Sequence, residues 1–171
     1  MFVNLSQRFF EDSAGSESRL IISQLSADSA VVLFDGQPFE LRKRFSSSEE
    51  FATFLKEKSD PSSSRVYDAT RQTLDYMNNL DGVTERTRML TVILSDLRDS
   101  EGDQAIRGTT GHAMLASLER YRERGGALAL YYVAIEEITR WREVMTRAGF
   151  EPGYFVIENE INANPKLPDF Q

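Results

Sequence analysis

The stretch TVILSDLRDS, residues 91–100, decides the fold. Its first residues are β-branched or aliphatic, and the run is apolar enough for a central strand of a sheet. It then breaks into Ser95 and Asp96, with Asp99 following. A carboxylate at the end of a buried strand is costly when unpaired, so Asp96 must cap backbone, hold a cation or reach solvent. The bland reading, a strand-end carboxylate that caps the next turn, competes directly with a functional one.

Working outward, the strand extends back through RMLTVILSD, residues 88–96, and is preceded by SRVYDATRQTLDYMNNLDG. That segment reads as a helix with Ser64 as N-cap, Asp68 in its first turns, and Leu74, Met77 and Leu80 on one face before an Asp-Gly stop. After the strand, RDSEGDQAIRGTTG reads as a polar loop, with Asp99 and Asp103 as solvated charge. HAMLASLERYRER then forms a helix stopped by Gly125 and Gly126. ALALYYVAI is the next strand, EEITRWREVMTRAG a helix ending at Gly149, and GYFVIEN a short last strand.

The first half is organised differently. FVNLSQRFFED places Phe2, Leu5 and Phe9 on one face of an amphipathic helix. RLIISQLS, 19–26, reads as a strand buried on both faces, joined through a tight turn to AVVLFDG in a hairpin. Ser46 to Ser48 followed by Glu49 and Glu50 reads as a helix start, with acids near the positive end of the dipole. Phe51, Phe54 and Leu55 continue that helix.

Strands alternating with helices require crossovers. The expected fold is therefore α/β: a Rossmann-like, doubly wound, mostly parallel sheet with one antiparallel edge strand and helices on both faces. Residues 1–161 form one domain and 162–171 an extended tail whose Leu167 and Phe170 pack back. In such a sheet, sites form beyond the carboxyl ends of strands, where Asp96 lies.

Composition limits the partners. With 20 Lys and Arg against 27 Asp and Glu, the net charge is −7, and the long-range field opposes binding to nucleic-acid phosphates or anionic lipid. A cationic partner or a metal suits it better. The absence of cysteine excludes disulfides, thiolate zinc sites and cysteine nucleophiles. No apolar run approaches the roughly 20 residues that span a bilayer, and MFVNLSQRFFED lacks the basic start and cleavage site of a signal peptide.

The order of elements resembles a von Willebrand factor type A domain over nearly the whole chain. SRVYDAT resembles that family's T-P-x-Y-D-A segment, TVILSDLRDS its hhhhSDGxD strand end, and ERGGALALYYVAI its G-h-x-h-h-x-h-x-h run. The resemblance implies a metal-ion-dependent adhesion site, in which Mg²⁺ or Mn²⁺ is completed by an acidic group of a protein partner. Hard divalent cations take oxygen ligands and keep several waters, which suits a hydroxyl and a carboxylate from separate loops. By position, Ser64 supplies the hydroxyl, Asp96 the carboxylate, and Asp68 a supporting or capping group.

Leu97 stands where the family usually has glycine. The family's first strand and its D-x-S-x-S loop have no counterpart, since DSAGS at Asp12 to Ser16 has Ala14 in place of the first serine. The resemblance therefore implies an N-terminally truncated form with an incomplete site and weak metal binding or none. It also implies a gap between the strands at 19–26 and 88–95 that a second copy could fill.

The expected function is a non-enzymatic protein-interaction module. The rival is a metal-dependent hydrolase or nuclease using Asp35, Asp68, Asp96 and Asp99 as a carboxylate cluster. Against it, Asp35 follows an edge strand, far from Asp96. A response-regulator receiver would need a lysine ending a late strand, and Lys43, Lys56, Lys58 and Lys166 all lie elsewhere. His112 reads as a surface or capping residue, and Trp141, with Ile138 and Met145, as helix packing.

Overall fold

A computed structural model describes residues 19–26, 29–47, 50–51, 53–54, 57, 65–84, 86–160 and 165–169. The expected N-terminal helix, Ser64, Leu55 and Phe170 lie outside these residues.

The apolar run around 91–94 is strand β3 (Met89–Leu94), and it pairs in parallel with β4 (Gly126–Tyr131). β4 pairs in parallel with β5 (Phe155–Ile157), so the sheet order is β3-β4-β5. β4 is central, and its residues are buried throughout, which is why ALALY alternates so little in polarity. It ends at Tyr131, earlier than its apolar sequence suggests, because Tyr132 turns to φ 64°.

The hairpin forms as expected from β1 (Leu20–Ser26) and β2 (Ser29–Gly36), with a register irregularity at Ile22/Ser23. It does not join the parallel sheet as an edge. The two strands are a separate sheet, packed against the helix at 66–78. Of the apolar run in β1, Ile22 is buried while Leu20 and Ile21 are partly exposed, since the hairpin has a neighbour on one side only.

Helix α1 (Pro38–Arg44) is an addition to the sequence reading. Pro38 sits at the first position, where its fixed φ and missing N–H cost nothing, and Glu40 reaches back to accept from the Gln37 N–H at 2.8 Å. Of the expected helix start at Ser46 to Ser48 with Glu49 and Glu50, Ser48 and Glu49 lie outside the described residues. The Glu50 N–H donates to Ser47 Oγ at 3.1 Å and the Glu50 carboxylate accepts from the Ser46 N–H at 2.7 Å, a reciprocal cap. Phe45 packs against Phe51 and Phe54, with ring centroids 5.1 Å apart in both pairs.

The remaining helices are α2 (Val66–Asn78), α3 (Gln104–Glu123) and α4 (Ile135–Arg147). α2 begins with Arg65 as N-cap, one residue beyond the expected Ser64. α3 begins at residue 104, well before the expected start at His112. Asp103 caps it by accepting from the Ala105 and Ile106 N–H groups at 2.8 and 3.2 Å. Thr109 and Thr110 bond back to carbonyls one turn earlier, so Gly108 and Gly111 are carried inside the helix.

The three longer helices share one face of the parallel sheet among the described residues, which corrects the expectation of helices on both. Val66, Tyr67 and Leu74 of α2, Met114, Leu118 and Tyr121 of α3, and Trp141 and Met145 of α4 pack with Met89, Ile93, Leu128, Leu130 and Ile157 in one core. The opposite face, Ala129, Tyr131 and Val156 with Leu90 and Val92, receives Leu167 of the tail. The Tyr131 hydroxyl donates to the Lys166 carbonyl there.

Candidate functional site

The carboxyl ends of β3 and β4 are tied together by backbone. The Ser95 N–H donates to the Tyr131 carbonyl at 3.1 Å, the Ala134 N–H to the Asp96 carbonyl at 3.0 Å, and the Val133 N–H to the Glu158 carbonyl at 3.1 Å. Each strand then carries a non-glycine residue with positive φ, Leu97 at 58° and Tyr132 at 64°. An L-residue there costs roughly 1–2 kcal/mol, and such residues concentrate at functional rims. Leu97 has a packing reason for it: its side chain is 1 % exposed and belongs to the helix-side core. The glycine-like backbone is thus kept without glycine. Tyr132, by contrast, is 42 % exposed.

The Asp96 carboxylate turns outward. Its Oδ1 accepts from the Arg98 N–H at 3.2 Å, the turn-capping contact of the bland reading, and the Arg98 guanidinium lies 4.0 Å from Oδ2. Arg98 also binds Glu136 at the start of α4. That guanidinium holds the Glu136 carboxyl below its usual range, and Glu136 raises Arg98 in return.

Asp99 is not loose solvated charge. Its Oδ2 accepts from the Tyr67 N–H at 3.0 Å, and its Oδ1 from the Glu101 N–H at 2.8 Å. It caps α2 across 32 residues of sequence, a role invisible to local capping patterns. Asp103, also read as solvated, is the cap of α3. Asp68 caps nothing; its Oδ1 is held by Arg71 at 2.7 Å within the same helix. Between Arg65, Asp68, Asp99, Glu101 and Arg107 lies a recess of about 20 Å³ of solvent-fillable space. That admits one water and no organic substrate.

Asp35 pairs with Arg19 through both oxygens and accepts from the Tyr76 hydroxyl. The Arg19 hydrogen bond, joined by that of Tyr76, holds its carboxyl below the ordinary value. Tyr76 lies nine residues along α2 from Tyr67, about 14 Å of helix rise. Asp35 and Asp99 therefore contact α2 near opposite ends and do not share a site. The carboxylates Asp35, Asp68, Asp96 and Asp99 each satisfy a different structural partner.

Among the described residues no group of three or more His, Asp and Glu is placed to hold a metal, and the Asp96 carboxylate lies 4.0 Å from the Arg98 guanidinium. Ser64, the other expected ligand, lies outside the described residues. His112 accepts or donates locally at the Gly108 carbonyl, 2.7 Å away, and is exposed.

Beside these charged groups the rim presents apolar ones. Ile135, the first residue of α4, is 73 % exposed, and Tyr132 and Leu94 are exposed beside it in the sequence order of the strand ends. The pattern reading treated Tyr132 and Ile135 as strand residues; the helix N-terminus at 135 places both on the rim instead. No described helix is long and apolar enough to cross a membrane. Comparison with known proteins finds no matching family model, no matching curated protein and no matching solved structure.

Proposed function

We propose that the chain is a non-enzymatic protein-interaction module that uses the carboxyl-end rim of its parallel sheet. The observation that carries this reading is Tyr132. Its backbone is held at φ 64° while the residue is 42 % exposed, three residues before an Ile135 that is 73 % exposed. Solvent-exposed apolar area is offset when a partner covers it, and a strained backbone at a rim is a mark of function. The acidic groups of the rim, by contrast, are engaged in capping and ion pairing.

The likeness to a von Willebrand factor type A domain belongs to this proposal. Its support is the order β3, α3, β4, α4, β5 in a parallel sheet, with Asp96 where the chain leaves β3. That likeness would have a partner's acidic group meet a shared divalent ion. The Arg98 guanidinium near Asp96 favours direct contact without the ion, through an apolar anchor over Tyr132 and Ile135.

The test is a photo-crosslinker placed at position 135 in cells, with position 142 on α4 as the control, followed by calorimetry of the purified pair. A protein captured at 135 alone, whose binding is lost in Ile135→Asp, supports the proposal. Mg²⁺-dependent phosphoester cleavage by the purified chain, lost in Asp96→Ala, overturns it in favour of a hydrolase.

A further inference from the structure

The sequence contains two Asp-Gly steps, Asp35–Gly36 and Asp81–Gly82. At such a step the glycine backbone nitrogen can attack the aspartate side chain, because no Cβ shields its approach. The fold treats the two steps in opposite ways.

Asp35 is locked. Its carboxylate oxygens accept from the Arg19 guanidinium at 2.5 and 2.6 Å, and Oδ2 also accepts from the Tyr76 hydroxyl. Gly36 is held in the ladder opposite Leu20, and the space that a Cβ would take there is filled by the Glu40 carboxylate. Attack at this step must wait for the end of the hairpin to open.

Asp81 is open. The step follows α2, whose last turn closes with the Asn79 and Leu80 N–H groups donating back to carbonyls of the helix. Asp81 and Gly82 are both exposed, and nothing lies within 4 Å of where a Gly82 Cβ would stand. Gly82 takes φ 79°, in the middle of a turn. The fixed points on either side are the Leu80 carbonyl, which accepts from Arg124 at 3.5 Å, and the Thr84 N–H, which donates to Thr87 Oγ1 at 2.9 Å. Neither Asp81 nor Gly82 enters a hydrogen bond or ion pair among the described residues. Rotation about the Asp81 Cα–C bond, which brings the carboxyl carbon over the Gly82 nitrogen, therefore breaks no hydrogen bond.

We infer that Asp81 is a site of spontaneous covalent modification, converting to isoaspartate through a cyclic imide while Asp35 is spared. The carboxylic acid form reacts. The Gly82 nitrogen bonds to Asp81 Cγ and gives up its proton, and the carboxyl hydroxyl departs with that proton as water. Water then adds to one of the two imide carbonyls. Cleavage of the bond to Cγ returns aspartate, and cleavage of the bond to the original backbone carbonyl leaves the chain running through Cγ with a free α-carboxylate. No oxidant, metal or co-reactant other than water is required. The site lies between α2 and β3 and does not depend on the function proposed for the rim.

The experiment is ageing of the folded full chain for several weeks in neutral and mildly acidic buffer, beside the same chain in urea. Proteolysis and electron-transfer mass spectrometry distinguish isoaspartate from aspartate at each step, and enzymatic methylation of the isoaspartyl α-carboxylate counts the product. In the folded chain Asp81 is expected to convert about tenfold or more faster than Asp35, whose reaction requires local opening. In urea the two rates converge, since the dipeptides are the same. Asp81→Glu, whose ring is larger and slower to form, loses most of the methyl-acceptor signal, with circular dichroism verifying its fold.

Equal rates at the two steps in the folded chain overturn the inference, as does an Asp81 that stays intact when folded but converts in urea. A methyl-acceptor signal undiminished in Asp81→Glu overturns it as well. A preference for Asp81 that persists in urea would assign the difference to flanking sequence and overturn the structural cause.

Discussion

The Asp99 carboxylate, in the loop after β3, accepts a hydrogen bond from the backbone N–H of Tyr67 at 3.0 Å, and so caps a helix that precedes it by a whole strand. The same carboxylate turns its own loop through the Glu101 N–H. Replacing a cap of this kind by alanine costs about 1–2 kcal/mol. Asp99→Ala is therefore expected to lower the thermal midpoint by several degrees, while Asp99→Asn, still an acceptor, retains most of the stability. Differential scanning calorimetry of the two variants checks this; equal losses would show that charge, not acceptance, matters.

At Gly126 the expected effect is steric. A Cβ there would stand 2.3 Å from the Tyr121 ring, and that ring is fully buried with its hydroxyl accepting from Thr91 Oγ1 at 2.8 Å. Gly126→Ala should cost about 1–3 kcal/mol or more, the range of overpacked cores. Urea denaturation measures it, and Gly126→Ala combined with Tyr121→Leu should lose less than the sum of the two changes.

Leu97 sets backbone strain against burial. Glycine would relieve roughly 1–2 kcal/mol of left-handed strain, but removing a buried leucine costs about 2–5 kcal/mol. Both Leu97→Gly and Leu97→Ala are expected to destabilise, with Leu97→Ala the worse by about 1 kcal/mol because it keeps the strain. Equal stability of the two variants in chemical denaturation would contradict a positive φ at this position.

Acid should weaken the attachment of the hairpin. Folded Asp35 is harder to protonate than unfolded Asp35, whose ordinary value is near 3.8. Its pairing therefore contributes stability above that value and loses it as pH falls through the lower folded value. Arg19 is half exposed, so solvent screening limits the effect to a few tenths of a kcal/mol up to about 1 kcal/mol. Asp35→Asn should flatten the pH dependence of the thermal midpoint below about pH 4 and leave a smaller difference from the parent chain at low pH than at neutrality.

Short-range chemistry made much of this protein legible in advance. Hydrophobic runs placed β1, β2, β3, β4 and β5, because strand burial is written in consecutive residues. Glycines at 82, 125 and 149 take positive φ where the helix and turn stops were read. Trp141, read as packing, is fully buried. Ser47 and Glu50 marked a helix start through a contact three residues apart, well within the reach of local pattern.

Tertiary structure alone decided the rest, for reasons of distance along the chain. Asp99 and Asp103 follow one another in a polar loop, yet one caps a helix more than 30 residues away and the other caps the helix that immediately follows. Tyr131 and Tyr132 are neighbours in an apolar run, but the sheet ends between them, so one is enclosed and the other stands at the rim. The hairpin could have extended the parallel sheet by its hydrogen-bonding pattern; packing against α2, with Asp35 reaching Tyr76, made it a separate layer. Local propensity specifies which backbone groups need partners, but which distant residue satisfies them is settled only when the elements are brought together and their buried surfaces compete.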